Sequence, residues 1–335
     1  MATVTQSPAI LTPQTTSKRL DWVDGARVLA MMSIILQHVG APCLWNDPLL
    51  TSSLALFFIL SGYFSARHLE AGGRPSLSYL KKRLCSLLRP YIVWNLLFMI
   101  GDLSLHAMGE ISVDRDLNRS IITLFCQCFG LGYDPVLVPL WFLRDLMIFN
   151  IITVFLLSKS RALFWGIALA CLFIQPFSQN QAWAKPYMFG DFAIGILIAM
   201  IPSALERWRQ VPLRIHQWVV CFFAIVCSLK LTPWGEVIIY DPVTPLGILA
   251  LLSGGIWWSQ SRFASHIAQL SQGVFFVYCF HMVVIVLFMG IQQKYNVWAP
   301  WVWWILVPVI YAICQGVYLL LNLKFPRLLR WLTLK

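Results

Sequence analysis

The sequence predicts an all-α polytopic membrane protein with about ten transmembrane helices and both termini in the cytoplasm. Three observations carry that prediction. The chain of 335 residues is 59% hydrophobic and 12% charged, with a mean hydropathy of +0.72. A water-soluble domain is nearer 45–50% apolar and about 25% charged. Apolar segments of about 20 residues, the length a bilayer core of about 30 Å requires, recur ten times. Lys and Arg fall on alternate connections between those segments.

In chain order, residues 1–19 are polar and rich in Thr, Pro and Gln, without the apolar run and small-residue cleavage site of a signal peptide. They are expected to form a flexible cytoplasmic tail, with the first span an uncleaved anchor. The apolar segments lie near 26–44, 49–66, 90–108, 140–158, 161–177, 186–204, 215–231, 242–259, 272–292 and 300–323. The fifth is short and the eighth contains Pro245. Between the third and fourth, Ser120 to Gly130 is apolar enough for a short helix lying on the bilayer surface. Residues 20–325 form one membrane domain, and residues 326–335 are expected to form a basic cytoplasmic tail. No soluble catalytic domain is left over, so any chemistry is built from helices and short loops.

With ten spans, nineteen of the 25 Lys and Arg residues fall on the side of the termini and five on the opposite side, with Arg144 inside the membrane. The positive-inside rule then places both termini in the cytoplasm. The net charge of +11 concerns topology and anionic headgroups. There is no basic patch on a soluble module, so the lipid bilayer is an expected partner and nucleic acid is not. The nine cysteines are scattered, with no CxxC and no metal-ligand spacing. They read as small buried hydrophobes, and no metal is expected.

Arg27 and His38 stand out on the first span. Eleven helical steps of about 100° make three turns plus roughly 20°, so the two side chains share a face about 16 Å apart along the axis. Charged or ionisable side chains inside a membrane face a bundle interior or a wet cavity and mark functional sites by default. A snorkelling arginine and a packing histidine are the plain alternative. Tyr278 and His281 share a face of the ninth span. An imidazole serves as general base near neutral pH.

The fourth span carries Trp141, Arg144 and Asp145 in its first two turns, and the sixth carries Asp191. Asp145 or Asp191 could neutralise Arg144 as a structural ion pair. The same carboxylates, guanidinium and aromatic ring suit a sugar acceptor. Lys82, Arg83 and Arg89, with Lys81, cluster before the third span. The topology rule accounts for that cluster, and so does a phosphate-bearing donor. Asn95 and Asp102 on the third span are further buried polar groups without an assigned role.

Several segments resemble the acyltransferase 3 family of polytopic membrane enzymes, which acylate and most often O-acetylate cell-surface glycans. Asp24-Gly25-Ala26-Arg27-Val28-Leu29-Ala30, followed by His38, is similar to its first-helix signature. Phe57 to Tyr63 resembles its second helix and Pro139-Leu140-Trp141-Phe142-Leu143 its central motif. Ser271 to His281 resembles its late Ser–Tyr–His region with altered spacing. The resemblance spans roughly residues 20–325, and is greatest to a compact ten-helix subgroup that includes enterobacterial common antigen O-acetyltransferases.

That resemblance implies a multi-pass protein of the bacterial inner membrane with acetyl-CoA as cytoplasmic co-substrate and a surface or lipid-linked glycan as acceptor. It implies an essential His38 supported by Arg27. His281 and Tyr278 are the candidate donors to the developing oxyanion. The donor phosphates would lie over Arg27, Lys82, Arg83 and Arg89. Trp141, Arg144, Asp145 and Asp191 are the candidate acceptor residues. One departure is visible: Arg83 is followed three residues on by Ser86, where the family often has a second arginine. The alternative function is a translocase for a glycan or lipid-linked sugar without acyl chemistry.

Overall fold

A computed structural model describes residues 20–39, 46–66, 77–107, 121–129, 134–174, 185, 187–201, 203–229, 243–295 and 302–334. The expected N-terminal tail, Cys43 and the side chain of Asp102 lie outside the described residues. Among the described residues all regular structure is helical. The helices are α1 (Asp21–His38), α2 (Asn46–Ala66), α3 (Leu77–Ala107), α4 (Ile121–Phe129), α5 (Trp141–Lys159), α6 (Arg161–Ile174) and α7 (Met188–Met200). They continue with α8 (Ala204–Arg209), α9 (Leu213–Leu229), α10 (Val243–Ser259), α11 (Ala264–Gln272), α12 (Val274–Tyr295), α13 (Val302–Lys324) and α14 (Pro326–Leu332). A 3-10 turn, Val138–Leu140, leads into α5.

Each of the ten apolar segments corresponds to a helix: α1, α2, α3, α5, α6, α7, α9, α10, α12 and α13. The protein is an all-α polytopic membrane protein. Among the described residues, five helices (α2, α3, α5 with its leading turn, α12 and α13) are long and apolar enough to cross a bilayer. α6, α7, α9 and α10 are shorter apolar helices. α7, at 13 residues, rises only about 20 Å at 1.5 Å per residue. α1 is 18 residues long and carries Asp21, Asp24 and Arg27 in its first two turns. Asp21 is exposed, and Asp24 and Arg27 are partly buried.

Several boundaries differ from the sequence reading. α3 starts at Leu77 rather than near residue 90, with Pro90 inside it. The added turns expose Lys81 and Lys82 while burying Leu87. Pro245 falls in the first turn of α10, where a missing N–H breaks no helical bond. The short helix expected between the third and fourth spans is present as α4. Residues 326–332, expected within the basic tail, form α14, with Leu329 and Leu332 buried. The indole Nε1 of Trp94 on α3 donates to the Leu332 carbonyl at 2.9 Å, which docks α14 against α3.

α1 is the central helix and packs on α2, α10, α11, α12 and α13. Small residues permit the closest approaches. A Cβ on Gly25 would lie 3.2 Å from the Gly255 Cα, joining α1 to α10. A Cβ on Gly62 would overlap the Phe192 carbonyl, and one on Gly195 the Ile59 carbonyl, so α2 and α7 meet backbone to backbone. In lipid, where apolar contact gains little over acyl chains, such small-residue seams are a main source of helix association.

The α2–α7 seam predicts that Gly195→Leu forces the two helices apart. Its thermal midpoint in detergent should fall well below that of the parent, or folded protein should be lost. Gly101→Leu is the control, because a Cβ there meets no atom within 4 Å. It should shift stability by no more than about 0.5 kcal/mol.

Candidate active site

The site begins with a break in helical structure. Pro135, Val136, Leu137, Pro139 and Leu140 are buried although the chain there is not α-helical. Non-helical backbone at membrane depth survives only where protein or a wet cavity satisfies its polar groups. Two side chains do so here. Asn95 on α3 accepts from the Leu137 N–H at 3.0 Å, while its own amide donates to the Tyr91 carbonyl at 2.9 Å. Tyr278 on α12 donates its hydroxyl to the Pro139 carbonyl. Both side chains therefore fix where α5 begins and which way its first turns face.

Tyr278 is thereby engaged. The hydroxyl that the sequence reading offers to an oxyanion is committed to Pro139 in this conformation. The Pro139 carbonyl lies in the 3-10 turn before α5, where the Trp141 N–H also approaches it, so the hydroxyl adds a second donor to a carbonyl that can accept two.

α12 also brings His281 to α1. The His281 ring centroid lies 5.3 Å from that of His38, with the planes at 46°. His281 is fully buried. Its Nδ1 lies 2.7 Å from the Tyr278 carbonyl and 3.2 Å from that of Val277. Carbonyls only accept, so Nδ1 carries the hydrogen and Nε2 is left as the acceptor in the neutral ring. Nε2 has no hydrogen-bond partner among the described residues. His38, the last residue of α1, is partly exposed.

Rings continue outward from this pair. Tyr278 lies 6.2 Å from His281 and 5.8 Å from Phe142, which lies 6.4 Å from Trp141. The Lys185 ammonium sits 4.1 Å from the Trp141 ring centroid, within cation–π range. The Lys185 backbone N–H donates to Asp145 Oδ2 at 3.0 Å, and Arg144 Nε donates to Asp145 Oδ1 at 3.0 Å. Arg144 also faces the exposed Asp134 at 3.8 Å. Burial holds the Lys185 ammonium below the usual lysine range, against the opposing pull of Asp145 and Asp134.

Other candidates are placed elsewhere. Asp191 does not pair with Arg144; it lines a cavity between α2, α7 and α10. Arg27 pairs with Asp24 at 3.3 Å, and its side chain is one-third exposed. Lys82 and Arg89 are exposed on α3, and Arg89 lies over the Trp331 ring at 5.2 Å. Arg83 is partly buried, and its Nε has no partner among the described residues. α3 packs chiefly on α5 and α14, away from Arg27. Between Arg27 and His38, on the same face of α1, Met31 and Ile34 are fully buried. Packed side chains therefore occupy the face between guanidinium and imidazole. No group of three or more potential metal ligands occurs among the described residues.

With this geometry in place, comparison with known families is informative. A family model described as an acyltransferase domain, that of the acyltransferase 3 family, matches residues 20–319. The chain belongs to the acyltransferase 3 family. Comparisons with curated proteins and with solved structures find no match. The matched stretch holds every element of the site, from α1 with Arg27 and His38 to most of α13.

Sequence reasoning missed two features of this acyltransferase. Lys185 reads only as a loop charge, because its contacts with Trp141 and Asp145 are long-range. Asn95 carries the signal of an amide in an apolar helix, but its partner at Leu137 lies 42 positions away.

Two outcomes follow. Asp145→Ala should destabilise the protein by about 1.5–3 kcal/mol, because it removes the buried carboxylate that Arg144 Nε and the Lys185 N–H both bond, while Asp134 still faces the guanidinium. Arg144→Met combined with Asp145→Leu should recover part of that loss in the same thermal-unfolding measurement. Tyr278→Phe should cost about 0.5–1.5 kcal/mol by removing one of the two donors at the Pro139 carbonyl.

Proposed function

We propose that this membrane acyltransferase moves an acetyl group from cytoplasmic acetyl-CoA to a hydroxyl of a cell-surface or lipid-linked glycan in a bacterial inner membrane. The observation that carries the reading is the His38–His281 ring pair, 5.3 Å apart, inside a chain that belongs to an acyltransferase family. The lopsided Lys and Arg distribution supports a cytoplasmic donor side.

In this reading the sugar oxygen attacks the thioester carbon, and the C–S bond breaks after a tetrahedral intermediate. His38 takes the hydroxyl proton as general base and returns it to the departing thiolate. Alternatively, His38 itself accepts the acetyl group and passes it on. His281, with Nδ1 tied to backbone carbonyls, positions the second imidazole against the first. Arg27, Lys82, Arg83 and Arg89 are the candidates for the donor phosphates. Met31 and Ile34 are packed between Arg27 and His38, so this reading requires them to move if one donor is to span both residues. Trp141, Arg144, Asp145 and Lys185 supply the acceptor side, with the indole face for a sugar ring and the charges for its hydroxyls.

His38→Ala should lower transfer of labelled acetyl from acetyl-CoA to the glycan by about 10²–10⁴-fold, with membrane abundance unchanged. Undiminished transfer rejects the role of His38. Rapid quenching separates the two chemistries, since only the second leaves acetyl on His38. Purified protein that moves a glycan across vesicles without consuming acetyl-CoA would support a translocase instead.

A further inference from the structure

A second cavity, of about 420 Å³, lies between α2, α7 and α10. Its size falls within the range of small-ligand sites, roughly 300–1,000 Å³. Its walls are mostly aliphatic, including Leu56 and Ile59 of α2, Ile194 of α7 and Ile248 of α10, with Tyr63 and Thr244 also in the lining. Leu197 on α7 and Leu249 on α10 are exposed, and Leu249 is itself part of the cavity lining. In a chain this apolar, exposed leucines on membrane helices face acyl chains, which gives the cavity an apolar approach from that side.

One group is out of keeping with that lining. Asp191 points into the cavity with only 4% of its surface exposed. Its Oδ2 is buried and has no hydrogen-bond partner among the described residues. The contrast with Asp145 is instructive: that carboxylate receives both the Arg144 guanidinium and the Lys185 N–H. A carboxyl group without a partner in an apolar site is costly. An ordinary lipid tail filling the cavity would leave it so.

We propose that this lateral cavity binds a long-chain alcohol from the membrane, its chain along the aliphatic walls and its hydroxyl donating to Asp191. The cavity lining includes no Lys, Arg or His. A phosphate or carboxylate head would meet the Asp191 carboxyl with no cation to offset it. A neutral hydroxyl supplies the missing donor without that repulsion. The site is distinct from the histidine pair and does not depend on the acetyl-transfer reading.

The test is photolabelling of the purified full-length protein in nanodiscs with a diazirine-bearing hexadecanol, mapped by mass spectrometry. Labels should fall on α7 and α10. Unlabelled hexadecanol should compete about tenfold better than hexadecane or hexadecyl phosphate, the equivalent of one hydrogen bond. Asp191→Leu should reduce labelling there by a similar factor. Ile248→Trp, which puts a larger side chain into the cavity and keeps Asp191, should reduce it as well. Equal competition by the alkane, measured on the parent protein, overturns the proposal whatever the variants do. Labelling that survives both substitutions in protein with a parent-like thermal transition overturns it too.

Discussion

A polypeptide in hydrocarbon must satisfy every backbone N–H and C=O from within itself, and this acyltransferase breaks that rule at one described place and then repairs it. The buried stretch before α5 is a single 3-10 turn, whose few backbone bonds leave the Leu137 N–H without a helical partner. Asn95 takes the Leu137 N–H and Tyr278 gives its hydroxyl to the Pro139 carbonyl. The repair links three helices that are far apart in sequence. It sets the starting point of α5, and hence the positions of Trp141, Phe142, Arg144 and Asp145. It also ties α12 to the same point, one turn below His281. The site is thus assembled around a correction of backbone hydrogen bonding.

Charge is handled by the same logic. Arg144 would be expensive alone, but Asp145 and Asp134 surround it, and the Lys185 N–H completes Asp145. The price of housing these groups buys a rigid polar cluster beside the ring series that leads to His38. Asp191 follows the rule by exception. It sits in an aliphatic cavity with an oxygen left over, which makes it a place for something the protein itself does not provide. Carboxylates on α5 and α7 thus have different surroundings and different uses.

Packing supplies the remaining precision. α1 reaches the centre of the bundle because Gly25 and Gly255 let its backbone approach α10, and α2 meets α7 across Gly62 and Gly195. The buried Met31 and Ile34 between Arg27 and His38 show the other side of close packing. The face that looks open on a helical wheel is filled by side chains belonging to the main core. Access of a donor to His38 is therefore a question of side-chain movement and not only of reach along α1.

Composition and hydropathy alone determined the all-helical membrane class, the ten apolar segments and the short helix at Ile121–Phe129, because each depends on local chain chemistry. They also singled out Arg27, His38, Tyr278 and His281, since polar groups in apolar helices are conspicuous wherever they occur. The register between helices was beyond reach. That His38 meets His281, that Arg144 chooses Asp145 over Asp191, and that Tyr278 serves Pro139 are all outcomes of rotation and depth in the bundle. Helical periodicity specifies a face but not the neighbour it meets. Only packing, governed by small-residue seams and by the need to satisfy each buried polar group, decides which neighbour that is.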